Sequence, residues 1–159
     1  MLKVNVVSRA ITPRLHLSLM ASDVIAPGEP ILEWTPEQIT SERTWRTVQV
    51  GHGLHVKNEL LDYVDHSCEP NAIVAIESRQ LLALRAIAPG EPITFFYPGT
   101  EVEMAQPFRC TCGSRHCLGE IAGAFYLSAD QMRAALRAGY CSSFIAAHLE
   151  RLLGAPVTT

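Results

Sequence analysis

The chain interrupts its apolar stretches with a Gly/Pro turn every few residues, and this limits what it can fold into more than any other feature. Pro27-Gly28-Glu29, Gly51-His52-Gly53, Glu69-Pro70-Asn71 and Pro89-Gly90-Glu91 are turn signals. Between and beside them lie Val4–Val7, Leu15–Leu19, Pro30–Trp34, Trp45–Val50, Ile73–Glu77, Gln80–Arg85 and Ile93–Tyr97. These are β-branched or alternating and too brief for core helices, so they read as short strands. The expectation is a β-rich domain. Thr35–Arg43 reads as one helical turn, with Pro36 suited to the first helical position. One phrase occurs twice, Ile25-Ala-Pro-Gly-Glu-Pro-Ile31 and Ile87-Ala-Pro-Gly-Glu-Pro-Ile93, as an internal duplication or as the same turn chemistry used twice.

The pattern changes after Leu127. Ser128-Ala-Asp-Gln131 has the form of a capping box, with Met132, Ala135 and Leu136 following at helical spacing. Gly139 stops that helix, and a second one runs through Phe144, Ile145, Leu149 and Leu152 to Gly154. The amphipathic stripes predict a helical hairpin that packs on the β core or on a second copy of the chain.

Five cysteines, without a leader pattern at the N-terminus, argue against a disulfide framework. Three stand in Cys110-Thr-Cys112-Gly-Ser-Arg-His-Cys117, a spacing that gathers thiols on one tight loop. Tetrahedral zinc needs a fourth ligand, and Cys68, Cys141 and His116 are the candidates. Cys141, on the helical pattern, reads as a small core residue. The 159 residues carry thirteen basic and sixteen acidic side chains, a net charge of −3, so the basic surplus of a phosphate-gripping protein is absent. Apolar runs are too short to span a bilayer. The expectation is one soluble, cytoplasmic domain that binds neither nucleic acid nor membrane.

Three segments together resemble one family. Tyr63-Val-Asp-His-Ser-Cys-Glu-Pro-Asn71 is similar to the N-H-S-C-x-P-N motif of SET-domain lysine methyltransferases, and Pro89-Gly-Glu-Pro-Ile-Thr-Phe-Phe-Tyr97 to their G-E-E-L-T-x-D-Y motif. Phe108-Arg-Cys-Thr-Cys-Gly-Ser-Arg-His-Cys-Leu-Gly119 resembles their zinc-binding post-SET loop, and Ala21–Trp34 the segment that ends I-x-x-G-E-x-I-x-E-Y. The resemblance runs from about Pro13 to Leu127. It implies a SET-domain fold of short strands with a knot-like C-terminal segment over residues 1–107. A post-SET zinc loop would follow over 108–127 and the helical extension over 128–159, all in one compact unit.

The resemblance also implies roles. Tyr97 would be the active-site tyrosine, and Phe95 the position whose size sets how many methyl groups fit. Asp65, at the family's Asn position, and His66 would touch S-adenosyl-L-methionine, as would His16-Leu17-Ser18, which stands where the family has Gly-x-Gly. Leu118 would pack on the adenine. Cys68 would complete a four-cysteine Zn2+ site with Cys110, Cys112 and Cys117. Trp34, Tyr63 and Phe96 would join the walls of the substrate channel. The chemistry suits such residues, because a sulfonium methyl donor needs little beyond a neutral amine held in line. A lysine amine, with a pKa near ~10.4 in water, must be kept neutral by its surroundings.

Three readings follow. The first is a protein lysine methyltransferase acting on a protein or peptide. The second is a SET-fold enzyme turned to a small-molecule amine, a peptide or other chemistry, and the third a silent binding module. Asp62, Asp65, Glu69, Glu101 and Glu103 read as scattered surface acids or as an attraction for a basic tail. The C-terminal helices offer a surface for a homodimer.

Overall fold

The computed structural model describes residues 1–11 and 14–154. Pro13, at the start of the family resemblance, and the last five residues of the expected C-terminal extension lie outside them. The chain opens with an antiparallel hairpin, β1 (Val4–Ile11) and β2 (Arg14–Ala21), in unbroken register from Val4 opposite Ala21. β3 (Pro30–Glu33) follows, then a single 3-10 turn at Pro36–Gln38 with Pro36 leading it, as expected.

β4 (Ile39–Thr40), β5 (Val48–Gly51) and β6 (Leu54–Val56) form a three-stranded sheet in the order β4-β6-β5. β7 (Asp65–His66), β8 (Ala72–Ala75), β9 (Gln80–Ala83) and β10 (Thr94–Phe95) come next. β3, β9 and β8 make a second three-stranded sheet, while β10 lies parallel to β7. β11 (Phe108–Arg109) and β12 (Glu120–Ile121) bracket the cysteine loop. α1 (Ala129–Ala138) and α2 (Ser143–Leu152) close the described chain. The expected β-rich architecture is therefore present, with the expected helical hairpin.

Sequence and structure part at Trp45–Thr47. A strand is expected over Trp45–Val50, but the Thr47 hydroxyl caps a turn by taking the Thr44 N–H at 2.9 Å, and pairing begins only at Val48. Ile93–Tyr97 likewise pairs over two residues before Tyr97 enters a 3-10 turn through Gly99.

The repeated phrase explains how the core closes. Ile25 and Ile87 pair with each other, N–H to C=O at 3.0 and 2.9 Å, so the two copies face one another. In each copy the Glu carboxylate accepts the Ala N–H three residues earlier, Glu29 from Ala26 at 2.8 Å and Glu91 from Ala88 at 3.1 Å. The Gly N–H groups serve the flanking strands: Gly28 donates to Ala83 and Gly90 to Ala21. Both glycines have φ near +80°, which a side chain disfavours. The turns thus bury Ile25, Ile31, Ile87 and Ile93 in one core with Leu19, Trp34, Val56 and Leu81.

The helices pack on a second core. Met132 and Ala135 of α1 and Ile145 and Leu149 of α2 cover Phe96 and Leu127. The Ser128 hydroxyl accepts the Gln131 N–H at 3.2 Å and the Gln131 side chain accepts the Ser128 N–H at 2.8 Å, the reciprocal cap expected of this sequence. Gly139 ends α1 at φ +72°. The hairpin is pinned beside the strand end at Gly99, whose carbonyl accepts the Ser142 N–H at 2.8 Å. A Cβ at Gly99 would fall 2.1 Å from the Tyr140 carbonyl oxygen. No helix among the described residues is long and apolar enough to cross a membrane.

Gly99→Ala is therefore expected to push the helical hairpin off the β core. A loss of about 1–3 kcal/mol, the usual range for overpacking, is the predicted outcome in a denaturant titration followed by circular dichroism.

Candidate active site

The two-residue parallel pairing of β7 with β10 sets the site. Asp65 lies opposite Thr94 and His66 opposite Phe95, with the Asp65 and Ser67 N–H groups donating to Ile93 and Phe95 carbonyls at 3.2 Å each. This brings His66 against Tyr97. The His66 Nδ1 accepts the Tyr97 N–H at 3.1 Å, so its proton sits on Nε2, which meets the Cys68 Sγ at 3.3 Å. Burial holds the imidazole pKa down at about 4, so the ring is neutral at ordinary pH. The Phe108 ring stands 5.9 Å from both His66 and Tyr97, and Phe95 packs 4.7 Å from Tyr97.

Tyr97 is half-buried, and its hydroxyl donates to the Val64 carbonyl at 2.7 Å. Burial first, then the nearby Asp65, Glu101 and Asp62, push its pKa above the ordinary phenol value. The phenol stays protonated and does not act as a base. Phe95 and Tyr97 line a cavity of about 40 Å³ with Val48, Asp62, Glu101 and Trp45. At roughly 10–15 Å³ per water, that is room for a slender chain end.

Two acids face this space. Glu101 is only 8% exposed, its Oε1 accepting the Gln49 N–H at 2.7 Å and the Thr100 hydroxyl at 3.2 Å. Burial outweighs those bonds and lifts its pKa to about 7. Burial also raises the Asp62 carboxyl, whose Oδ1 is enclosed without a hydrogen-bond partner.

Three expected channel residues lie elsewhere. Trp34 is 4% exposed in the main core, its N–H bound to the Arg79 carbonyl. Tyr63 packs half-buried on the same core. Phe96 points away from its neighbour Phe95, as alternate strand residues must, and enters the helical core. None of the three lines the cavity.

On the far side of β7 the Asp65 carboxylate gathers three partners. His16 Nε2 lies at 2.6 Å, the Ser18 hydroxyl donates at 2.5 Å and an Arg9 guanidinium nitrogen is 3.7 Å away. His16 and Ser18 share one face of β2, whereas Leu17 points to the other and is 48% exposed. The structure thus unites His16, Ser18 and Asp65 and leaves Leu17 out. Leu118 lines a separate groove of about 470 Å³ with Phe96, His116, Ala135 and Tyr140, between the cysteine loop and α1.

The loop itself brings Cys68, Cys110, Cys112 and Cys117 together, all four Sγ atoms within 4.8 Å of one another. Cys68 and Cys110 are 4.0 Å apart, close to the ~3.8 Å edge of a tetrahedron with ~2.3 Å metal–sulfur bonds. The Leu118 N–H donates to Cys68 Sγ at 3.4 Å, the kind of bond that orients a thiolate ligand. Burial pushes the Cys68 thiol pKa up. Neither Cys141 nor His116 joins the set. The donor set fits a four-coordinate zinc.

The SET-domain family matches residues 16–98, slightly more than half of the chain, and the protein belongs to that family. The chain is similar to the methyltransferase flvH of Aspergillus flavus, 41% identical over 86 residues, a stretch covering 52% of this chain and 48% of that protein. The chain thus spans about half the length of this relative.

Solved structures share the fold. KRYPTONITE, in complex with mCHH DNA, an H3(1–15) peptide and SAH, has a TM-score of 0.57 at 18% identity, over 75% of this chain and 30% of that one. The methyltransferase domain of human histone-lysine N-methyltransferase SETMAR has a TM-score of 0.50, also at 18% identity, over 67% of this chain and 54% of that domain.

Arg9 and Phe108 have no assigned role in the sequence reading, and Asp62 and Glu101 enter it only as surface acids or as an attraction for a basic tail. Phe108 alone had a local signal, since it stands two residues before the first loop cysteine. Glu101 and Asp62 look like surface acids until folding encloses them. Because the folded Glu101 holds its proton up to about pH 7, its share of stability is present at low pH and is lost as pH rises from about 4.5 to 7. Glu101→Gln keeps the acceptor for Gln49 and removes the buried charge. The variant is expected to be more stable than the parent at pH 8, by up to about 3 kcal/mol, with little difference at pH 5, as thermal denaturation at the two pH values would register.

Proposed function

We propose that the protein is an S-adenosyl-L-methionine-dependent methyltransferase that takes an amine, foremost the side chain of a protein or peptide lysine, into the slot beside Tyr97. The observation that carries this reading is the slot itself. It is small, it is lined by Phe95 and Tyr97, and its acids suit a cationic chain end. Membership of the SET-domain family and the likeness to a methyltransferase support it.

Residues on this chain offer what the methyl donor requires. The apolar groove beside Leu118 suits a flat base, and the Asp65 carboxylate suits an ammonium, with Arg9 near enough to face a carboxylate. When bound, the donor supplies a methyl group already activated by its sulfonium charge. The protein then has to exclude water, orient the amine and keep it neutral. Tyr97, fixed through its N–H to His66 and its hydroxyl to Val64, provides a rigid wall against which the amine is aligned.

Zinc at the four cysteines would hold the loop that carries Leu118, so metal and donor binding are coupled. The altered small-residue positions give the silent-module reading its one foothold, since His16 and Ser18 already occupy Asp65.

Calorimetry with S-adenosylmethionine, followed by a screen on lysine peptides and small amines, tests the reading. Donor binding and a mass gain in 14-Da steps are expected. Donor binding without transfer to any amine would sink it. Tyr97→Phe is predicted to lower transfer at least tenfold with donor affinity unchanged. Cys112→Ser is predicted to lose zinc in elemental analysis and to weaken donor binding, again at least tenfold.

A further inference from the structure

The amine slot contains a problem that the aromatic walls do not solve. An alkylammonium drawn into it must lose a proton before its nitrogen can accept a methyl group, and Tyr97 cannot take that proton. Glu101 meets the need. Its hydrogen bonds from Gln49 and Thr100 converge on Oε1, which leaves Oε2 without a donor among the described residues. The residue as a whole is only 8% exposed, yet it lines the cavity together with Phe95 and Tyr97. It is braced by the β5 backbone at Gln49, so it faces the space in a fixed position. Asp62 lines the same cavity, with one enclosed oxygen that has no hydrogen-bond partner among the described residues. A buried unpaired carboxylate oxygen is costly and marks a place for a donor that the protein lacks.

We infer that Glu101 is the proton acceptor of the amine site, with Asp62 as the fixed counter-charge that draws the ammonium in. The inference rests on the proposed amine-methylating function and adds a residue to it. In the step, one N–H bond of the ammonium breaks and one O–H bond forms on Glu101. The amine keeps the freed electron pair, and the carboxylic acid later returns its proton to solvent. No further reactant is needed for this transfer.

The groups that face Glu101 agree with the role. Arg43 is the smallest of the influences that favour its charge, Asp62 and Tyr97 line the same cavity, and Arg46, also in the lining, stacks on Trp45. His55, opposite Gln49 on β6, is held towards its neutral form by burial. The balance leaves Glu101 titrating near neutrality, where a base for this work is most effective.

The test needs no methyl donor. Binding of n-butylamine, which carries the four carbons of a lysine side chain, would be measured by calorimetry in buffers of different ionisation enthalpy. The wild-type protein should release about one proton per amine at pH 6, where Glu101 is protonated, and none at pH 8. Glu101→Gln should give the same count at both pH values. Asp62→Asn should keep the pH difference and bind at least tenfold more weakly. A difference that persists in Glu101→Gln, vanishes in Asp62→Asn, or cannot be seen because the wild type does not bind n-butylamine overturns the inference.

With donor present, kcat/KM of the wild type should level off above about pH 7. That of Glu101→Gln should be about 100-fold lower there and climb roughly tenfold per pH unit, as only free amine from solution reacts. Parallel profiles overturn the inference too. If proton release behaves as expected while no amine is ever methylated, the proton-accepting site stands and the methyltransferase reading falls.

Discussion

His66 accepts the Tyr97 N–H on one ring nitrogen and meets the Cys68 sulfur with the other, so a single neutral imidazole ties the strand end that carries the phenol to the loop that gathers the thiols. Neutrality is what lets one ring do both, since an imidazolium has no acceptor to offer Tyr97. Burial guarantees it by holding the pKa near 4. The ring can sit there only because β7 runs parallel to β10, and a parallel pair requires a long excursion of chain between its strands. That excursion is the β8–β9 hairpin and the second copy of the Ile-Ala-Pro-Gly-Glu phrase, which locks onto the first through Ile25 and Ile87. The turns therefore do more than reverse the chain. They fix the distance over which two short segments meet.

Charge is sorted on the two sides of this crossing. Beyond β7, Asp65 is answered by His16, Ser18 and Arg9, so its charge is locally balanced. Behind Tyr97, Asp62 and Glu101 have no such cationic partner within salt-bridge distance among the described residues. An acid answered by its neighbours is structural first, whereas an acid left open towards a cavity is arranged for something that enters. The same residue type thus has two meanings about one strand apart.

Much of the fold was legible because its elements carry a period. The capping box at Ser128 and the stop at Gly139 each bind a residue type to a geometry within a few positions. β4, β7, β10, β11 and β12 are two residues long, too short to hold any period, and they exist because distant partners meet them. The site divides in the same way. The thiols announced themselves through spacing, and Cys68 joined them as the family resemblance implied. Trp34 and Phe96 lie outside the cavity beside Tyr97, and the sequence does not reveal this because an aromatic residue near a motif looks the same whether it faces a channel or a core. Only the side of the strand decides, and Phe96 falls on the side that the helices cover.

Glu101 was hidden for a more general reason. Its neighbours Glu103 and Thr100 do not differ in kind from those of an exposed turn acid, and the burial comes from β5, which is some fifty residues earlier in the chain. Burial is also what gives the residue its chemistry. In water a glutamate near ~4.3 and an alkylamine near ~10.4 differ by about six decades in proton affinity, too wide a gap for useful transfer. Lifting the acid to about 7 removes nearly half of it. On the proposed function, an ammonium enclosed in the same small cavity would have its own pKa lowered, because desolvation disfavours whichever partner is charged. One physical cause, burial beside Tyr97, would move both groups towards each other.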